Sequence, residues 1–126
     1  MVVSVLLGTA IVQHFNNKFV SIDENLTEIS GIEFDKEGQL WAINDEGDEP
    51  NLYRVDRSGK INKTILVTNA KNIDWEDMTQ DDFGHFFLGD FGNNDNMRKW
   101  LTIYKIENPI DIKGMSTSAE IINLLI

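Results

Sequence analysis

Cysteine is absent from the 126 residues of the chain, and proline occurs only twice. The lack of cysteine excludes disulfide bonds, thiolate metal sites and cysteine nucleophiles. Basic residues are also scarce, because 11 lysines and arginines stand against 21 aspartates and glutamates, for a formal net charge of −10. This excess repels phosphate backbones and anionic lipid surfaces, so we expect no nucleic-acid partner.

Long apolar runs are missing as well. No stretch reaches the roughly 18 apolar residues of a membrane-spanning helix, so we expect no membrane insertion. Residues 2–12 (VVSVLLGTAIV) are apolar but short, and no lysine or arginine precedes them. Residues 1–20 therefore fit either an N-terminal strand or a truncated signal segment.

The chain is instead rich in short segments of β-branched and aromatic residues that are separated by turns. Four such segments come first, at residues 29–34, 39–43, 52–55 and 61–68. Asp-x-x-Gly sequences at 35–38 and 56–59 are typical of tight turns between strands. The tail, residues 118–126 (SAEIINLLI), is apolar nearly throughout and fits either a helix or a buried strand.

The same order of features then recurs. Asp35 returns as Asp81 after 46 positions, Asp45 matches Asp90 after 45, and Tyr53 matches Tyr104 after 51. Four strands in about 40–50 residues are the signature of a propeller blade. We therefore predict an all-β fold, a β-propeller fragment of about two four-stranded antiparallel blades.

The two predicted blades cover residues 21–70 and 71–126, the second complete or truncated. A sandwich of two double hairpins is the alternative fold. Because a propeller ring closes with four to eight blades, the predicted partners are the remaining blades of a larger chain or further copies in a homo-oligomer.

Acidic residues concentrate where this geometry places one rim of the blades. The segments NDEGDE at 44–49, DWED at 74–77 and DFGNNDN at 90–96 contain nine acids and no base among 17 residues. Oxygen donors at this density suit Ca²⁺, which takes six to eight oxygen ligands. The predicted metal ligands are Glu28, Asp45, Asp74, Glu76, Asp77 and Asp90, and the predicted ligand-binding residues are Trp75, Asn44, Asn93 and Asn94. The alternative is that these residues are simply good loop formers.

Three further aromatic residues, Trp41, Phe86 and Phe87, are predicted to pack between the blades. Trp75 lies among acids and either stacks on a ligand or wedges the blades apart. The sequence has no Gly-x-Ser-x-Gly elbow and no phosphate-binding glycine-rich loop. Whether the chain is catalytic is therefore left open.

Several segments resemble the bacterial SdiA-regulated propellers and are similar to the esterase-like phytase propellers. The resemblance is carried by residues 26–32 (LTEISGI), 40–47 (LWAINDEG), 72–78 (NIDWEDM), 88–94 (LGDFGNN) and 101–105 (LTIYK). It implies a propeller of about six blades, located in the bacterial envelope or outside the cell. It also implies a funnel of acids, formed by the predicted metal ligands, that holds calcium.

Two functions follow as expectations. The first is a calcium-linked module that binds a small-molecule or protein ligand in the periplasm or outside the cell. The second is a metal-dependent phosphoesterase or esterase of the phytase-like propeller type. A purely structural scaffold with solvated acids is the third alternative.

Overall fold

The computed structural model describes residues 19–126, and these residues form an all-β structure. Its strands are β1 (Ile29–Phe34), β2 (Leu40–Asn44), β3 (Asn51–Val55), β4 (Ile61–Val67), β5 (Trp75–Gln80), β6 (Phe86–Asp90), β7 (Trp100–Ile106), β8 (Ser116–Thr117) and β9 (Glu120–Leu125). A single 3-10 turn lies at Pro109–Asp111 within this described part. The predicted all-β class is confirmed, whereas the predicted N-terminal strand or signal segment falls almost wholly outside the described residues.

The strands form two sheets, in the orders β1-β2-β3-β4-β8 and β5-β6-β7-β9. All strand pairs are antiparallel except β4 and β8, which are parallel. Strand β8 comes from the second predicted blade but joins the first sheet, so the chain crosses back between the two units. Within residues 19–126 no helix is both long and apolar enough to cross a membrane.

The tail forms a strand, β9, as one of the two alternatives predicted. It is mostly exposed rather than buried, since five of its six residues are open to solvent. The physical reason is its position, because β9 pairs only with β7 and lies at the edge of its sheet.

The two sheets repeat one another in register. Strand β1 pairs with β2, and β5 with β6, through partners that differ by a constant 46 positions, and both pairs carry a bulge at the same place. The register corrects one predicted match. Ile29 pairs with Asn44, and Trp75 pairs with Asp90, so the counterpart of Asp90 is Asn44 rather than Asp45. Matching the two aspartates by residue type had shifted the alignment by one position.

Three Asp-x-x-Gly turns have the same geometry. The glycine N–H donates to the aspartate carbonyl at 3.0 Å in each turn. The glycines Gly38, Gly59 and Gly84 have φ values of 77°, 84° and 85°, which only glycine adopts without strain. The aspartate carboxylate accepts backbone N–H bonds from inside the turn. The turns therefore set the length and register of each hairpin.

The core lies between the two stacked sheets. Its residues are Trp41, Ile43, Leu52, Ile65 and Val67 from the first sheet, Trp75, Met78, Phe86, Leu88, Tyr104 and Ile106 from the second, and Ile112. The rings of Trp41 and Phe86 meet edge to face, with centroids 6.5 Å apart, which confirms that both pack between the sheets. Phe87 points the other way, because neighbouring strand residues alternate between faces, and it lines an apolar cavity with Phe91 and Ile103.

The turn at Asp35 differs from the turn at Asp56 in its link to the core. The carboxylate of the buried Asp35 also accepts a hydrogen bond from Nε1 of Trp41 at 2.8 Å. We expect Asp35→Ala to lower the free energy of unfolding by about 3 kcal/mol, since it leaves a buried indole N–H unsatisfied. Asp56→Ala removes the same turn bonds at an exposed site and serves as the matched control, with a clearly smaller loss. Urea unfolding measures both, and equal losses would contradict the role of the Trp41 bond.

Candidate cation site at the acidic rim

Three segments meet at one edge of the stacked sheets, which we call the acidic rim: residues 44–49, 72–77 and 90–98. The N–H of Asp45 donates to the carbonyl of Glu28 at 2.8 Å, and the N–H of Gly92 donates to the carbonyl of Asp74 at 3.1 Å. The side-chain amide of Asn72 donates to the carbonyls of Asn44 and Asp45 at 2.9 and 2.8 Å. The two bonds of Asn72 tie the rim of the first sheet to that of the second.

The rim brings together carboxylates from both sheets. Oxygen atoms of Asp45, Asp74 and Glu76 lie within 4.8 Å of one another. Asp45 follows β2, Asp74 precedes β5, and Glu76 lies in the bulge of β5. Carboxylate oxygens at this spacing could hold a metal ion, and the three residues belong to segments that the sequence predicted to share one rim.

Asp74 is the least solvated of the three carboxyls, with 9% of its surface exposed. Burial, a hydrogen bond with the side chain of Asp45 and the charge of Glu76 raise the pKa of Asp74 to about 6. Gly92 lies directly against this carboxyl, because a Cβ atom at position 92 would stand 2.0 Å from it. The loop after β6 thus covers Asp74 closely, and no N–H group of the described residues donates to its carboxylate.

The other predicted metal ligands lie outside this triad. Asp90 is fully buried, and its Oδ1 accepts bonds from Arg98 at 2.8 Å and from the N–H of Asp74 at 3.0 Å. Asp77 is exposed and borders the apolar cavity on the far face of the second sheet. Glu28 contributes its carbonyl to the rim, and its side chain is exposed.

The predicted ligand-binding residues also fall into two groups, because two of them are buried and two line an open cleft. Trp75 is fully buried, and its Nε1 donates to the carbonyl of Lys71 at 3.0 Å. This environment favours the wedge between sheets over stacking on a ligand. Asn44 is buried and donates to the carbonyl of Asn25 and to Asp48.

Asn93 and Asn94, in contrast, line an open cleft of about 360 Å³ together with Asp74 and Arg98. Arg98 is a rim residue whose structural role the sequence did not show. Its Nη1 donates to Asp90 at 2.8 Å and to the carbonyl of Gly92 at 3.0 Å, so it neutralises the buried carboxylate and closes the loop. In the sequence, the signal for this role is that Arg98 and Lys99 are two neighbouring bases at the end of an acidic segment.

Comparisons of the chain with protein-family models, with curated proteins and with solved structures find no match. The described residues themselves show an all-β chain with two sheets of mostly antiparallel strands and an acidic rim.

The pKa of Asp74 predicts a dependence of stability on pH. Its folded-state value of about 6 lies above the ordinary 3.8, so the folded chain holds this proton more tightly than the unfolded chain. The stabilisation is complete below pH 4 and is lost as pH rises through 6. We expect stability without added metal to fall between pH 4 and 7 in the wild type, and less steeply in Asp74→Asn. Urea midpoints across this range measure it, and parallel curves for the two proteins would contradict the assignment.

The buried pair of Arg98 and Asp90 predicts a second effect. Arg98→Met leaves the Asp90 carboxylate buried without its counter-charge, which costs about 3–5 kcal/mol of unfolding free energy. Lys105→Met is the matched control, because Lys105 lies 3.8 Å from the exposed Glu120, and we expect it to cost less than about 1 kcal/mol. A loss for Arg98→Met as small as that of the control would show that the pair does not anchor the rim.

Proposed function

We propose that this chain is a calcium-linked binding module built from propeller-type sheet units. The observation that carries the proposal is the triad of Asp45, Asp74 and Glu76, whose carboxylate oxygens converge within 4.8 Å. Carboxylates held this close repel one another, and a divalent cation offsets that repulsion. Without a cation, burial and the two neighbouring carboxyls raise the pKa of Asp74 to about 6.

Calcium fits the donors better than magnesium. Ca²⁺ accepts six to eight oxygens in a flexible geometry, whereas Mg²⁺ demands a near-ideal octahedron and keeps most of its waters. Of the triad, Asp74 lines the cleft that holds Asn93 and Asn94, and we expect water and a ligand to complete the coordination from that side. A weak calcium site of this kind suits the periplasm or the cell exterior, the location that we propose.

The propeller assignment rests on how the two sheets stack. The face of the first sheet that bears Trp41, Leu52 and Ile65 is buried against the second sheet. By register, the corresponding residues of the second sheet are Phe87, Ile103 and Ile122, and these side chains are only half-buried on its outer face.

A further sheet of the same kind would cover that face as the second sheet covers the first. Such stacking about one axis is the arrangement of a propeller, the fold that the resemblance to the SdiA-regulated propellers implies. The further sheets would come from other blades of a larger chain or from additional copies of this one.

A metal-dependent phosphoesterase or esterase is the second candidate. It is favoured by one observation, the position of Arg98 in the same cleft as Asp74, where a guanidinium could face an anionic substrate beside the metal. Against it, Nη1 of Arg98 already donates to Asp90 and to the carbonyl of Gly92.

Calcium titration tests the proposal. We expect Ca²⁺ at millimolar concentration to raise the melting temperature of the wild type, and Mg²⁺ to raise it less. Asp45→Asn removes one ligand charge and should weaken calcium binding by about tenfold or more, equivalent to about 1.4 kcal/mol. Asp77→Asn is the matched control, because this exposed acid lies outside the triad and should leave the affinity unchanged.

Calorimetry of the same variants completes the test. An unchanged wild-type melting temperature in millimolar Ca²⁺, or equal losses for Asp45→Asn and Asp77→Asn, would contradict the site. Calcium-dependent turnover of p-nitrophenyl phosphate or p-nitrophenyl acetate that is lost in Asp45→Asn would contradict the binding module and support the hydrolase.

A further inference from the structure

Three large apolar side chains lie exposed beside the acidic rim, and we call them the rim patch: Ile73, Met97 and Trp100. Their exposed fractions are 52%, 82% and 57%. All three line one cleft of about 330 Å³, and Ile73 and Met97 also border the adjoining cleft that contains Asp74. Contiguous exposed apolar surface bordered by polar residues is typical of an interaction site.

The loop between β6 and β7, which carries Met97, is held in place by hydrogen bonds. The N–H of Asn96 donates to the carbonyl of Asn93 at 3.0 Å, and the N–H of Arg98 donates to Oδ1 of Asn93 at 3.0 Å. The Arg98 side chain is anchored below by its bond to Asp90. Met97 lies between these fixed points, so its exposure is set by the loop geometry.

The cleft that Trp100 lines is bordered by Arg98 and Lys99, whereas the cleft that adjoins it is mostly acidic. Glu46, Asp74 and Asp95 line the cleft that shares Ile73 and Met97. Arg98 is compensated by the buried Asp90, which leaves Lys99 as the uncompensated base among the residues that line the two clefts. The adjoining cleft therefore favours a ligand that combines apolar groups with positive charge.

We propose that the rim patch binds a cationic amphipathic peptide segment that carries both basic and aliphatic residues. Its aliphatic groups would lie on Met97 and Trp100. Its ammonium or guanidinium groups would reach Glu46 and Asp95, which line the adjoining cleft that Met97 also borders. This inference goes beyond the proposed function and requires no bound metal.

The exposed indole of Trp100 is an intrinsic fluorescence probe for binding. Trp41 and Trp75 are 1% and 0% exposed, whereas Trp100 is 57% exposed. A bound peptide that covers Trp100 should shift tryptophan emission to shorter wavelength while the two buried indoles contribute a constant background. The probe is a short capped peptide of alternating lysine and leucine, and its matched counterpart carries glutamate in place of lysine, both in EDTA.

Variants then locate the site through the anisotropy of the labelled lysine peptide. We expect Met97→Ser and Glu46→Gln each to weaken binding, Met97→Ser by about tenfold. Phe83→Ser is the control, since Phe83 is 81% exposed on the turn between β5 and β6, at the opposite end of the sheet. It should leave the affinity unchanged.

The proposal is supported if the lysine peptide binds, the glutamate peptide does not, and only the rim variants weaken binding. It is overturned if neither peptide shifts the emission, if both bind equally, or if Phe83→Ser weakens binding as much as Met97→Ser. Binding of free lysine with the same affinity as the peptide would also overturn it, because the apolar contacts would then contribute nothing.

Discussion

The packing of one sheet onto the next, with the edge of Phe86 against Trp41, is the constraint on which the rest of this structure depends. Both sheets use the same register, so their loops reach the same edge when they stack. Asn72 and Gln80 fasten the two sheets at opposite ends, through bonds to the carbonyls of Asn44 and Asp45 at the rim and of Phe34 at the far turn. Carboxylates that are far apart in sequence become neighbours for this reason alone.

The two buried acids of the rim, Asp74 and Asp90, have different environments. Asp90 receives a guanidinium and a backbone N–H, which together compensate its charge in a site without solvent. The carboxylate of Asp74 receives neither, and burial, together with the neighbouring carboxyls of Asp45 and Glu76, raises its pKa. The same loop supports both arrangements, because Arg98 anchors it to Asp90 while Gly92 lets it pass close over Asp74.

Much of the fold follows from local sequence signals. The Asp-x-x-Gly turns and the β-branched segments between them predict the hairpins, and the recurrence of Tyr53 as Tyr104 predicts the repeat. Local sequence signals do not predict which strands from different units pair, such as β8 with β4. The site shows the same limit. Sequence spacing places Asp45, Asp74 and Glu76 at one rim, but it does not separate them from Asp90, whose partner is fixed by the path of the loop, or from Asp77, whose position is fixed by a bulge.

Stacking of the two sheets brings the carboxylates of Asp45, Asp74 and Glu76 together, and we propose that a cation binds there. Trp75 stands between two of these ligands in the chain, so it can transfer excitation energy to a lanthanide bound there. Terbium luminescence excited through tryptophan is therefore the most direct measurement. We expect sensitised emission from the wild type. Excess Ca²⁺ should remove this emission by displacing the terbium, and Asp74→Asn should abolish it. Absence of emission from the wild type, or emission that persists in Asp74→Asn, would contradict it.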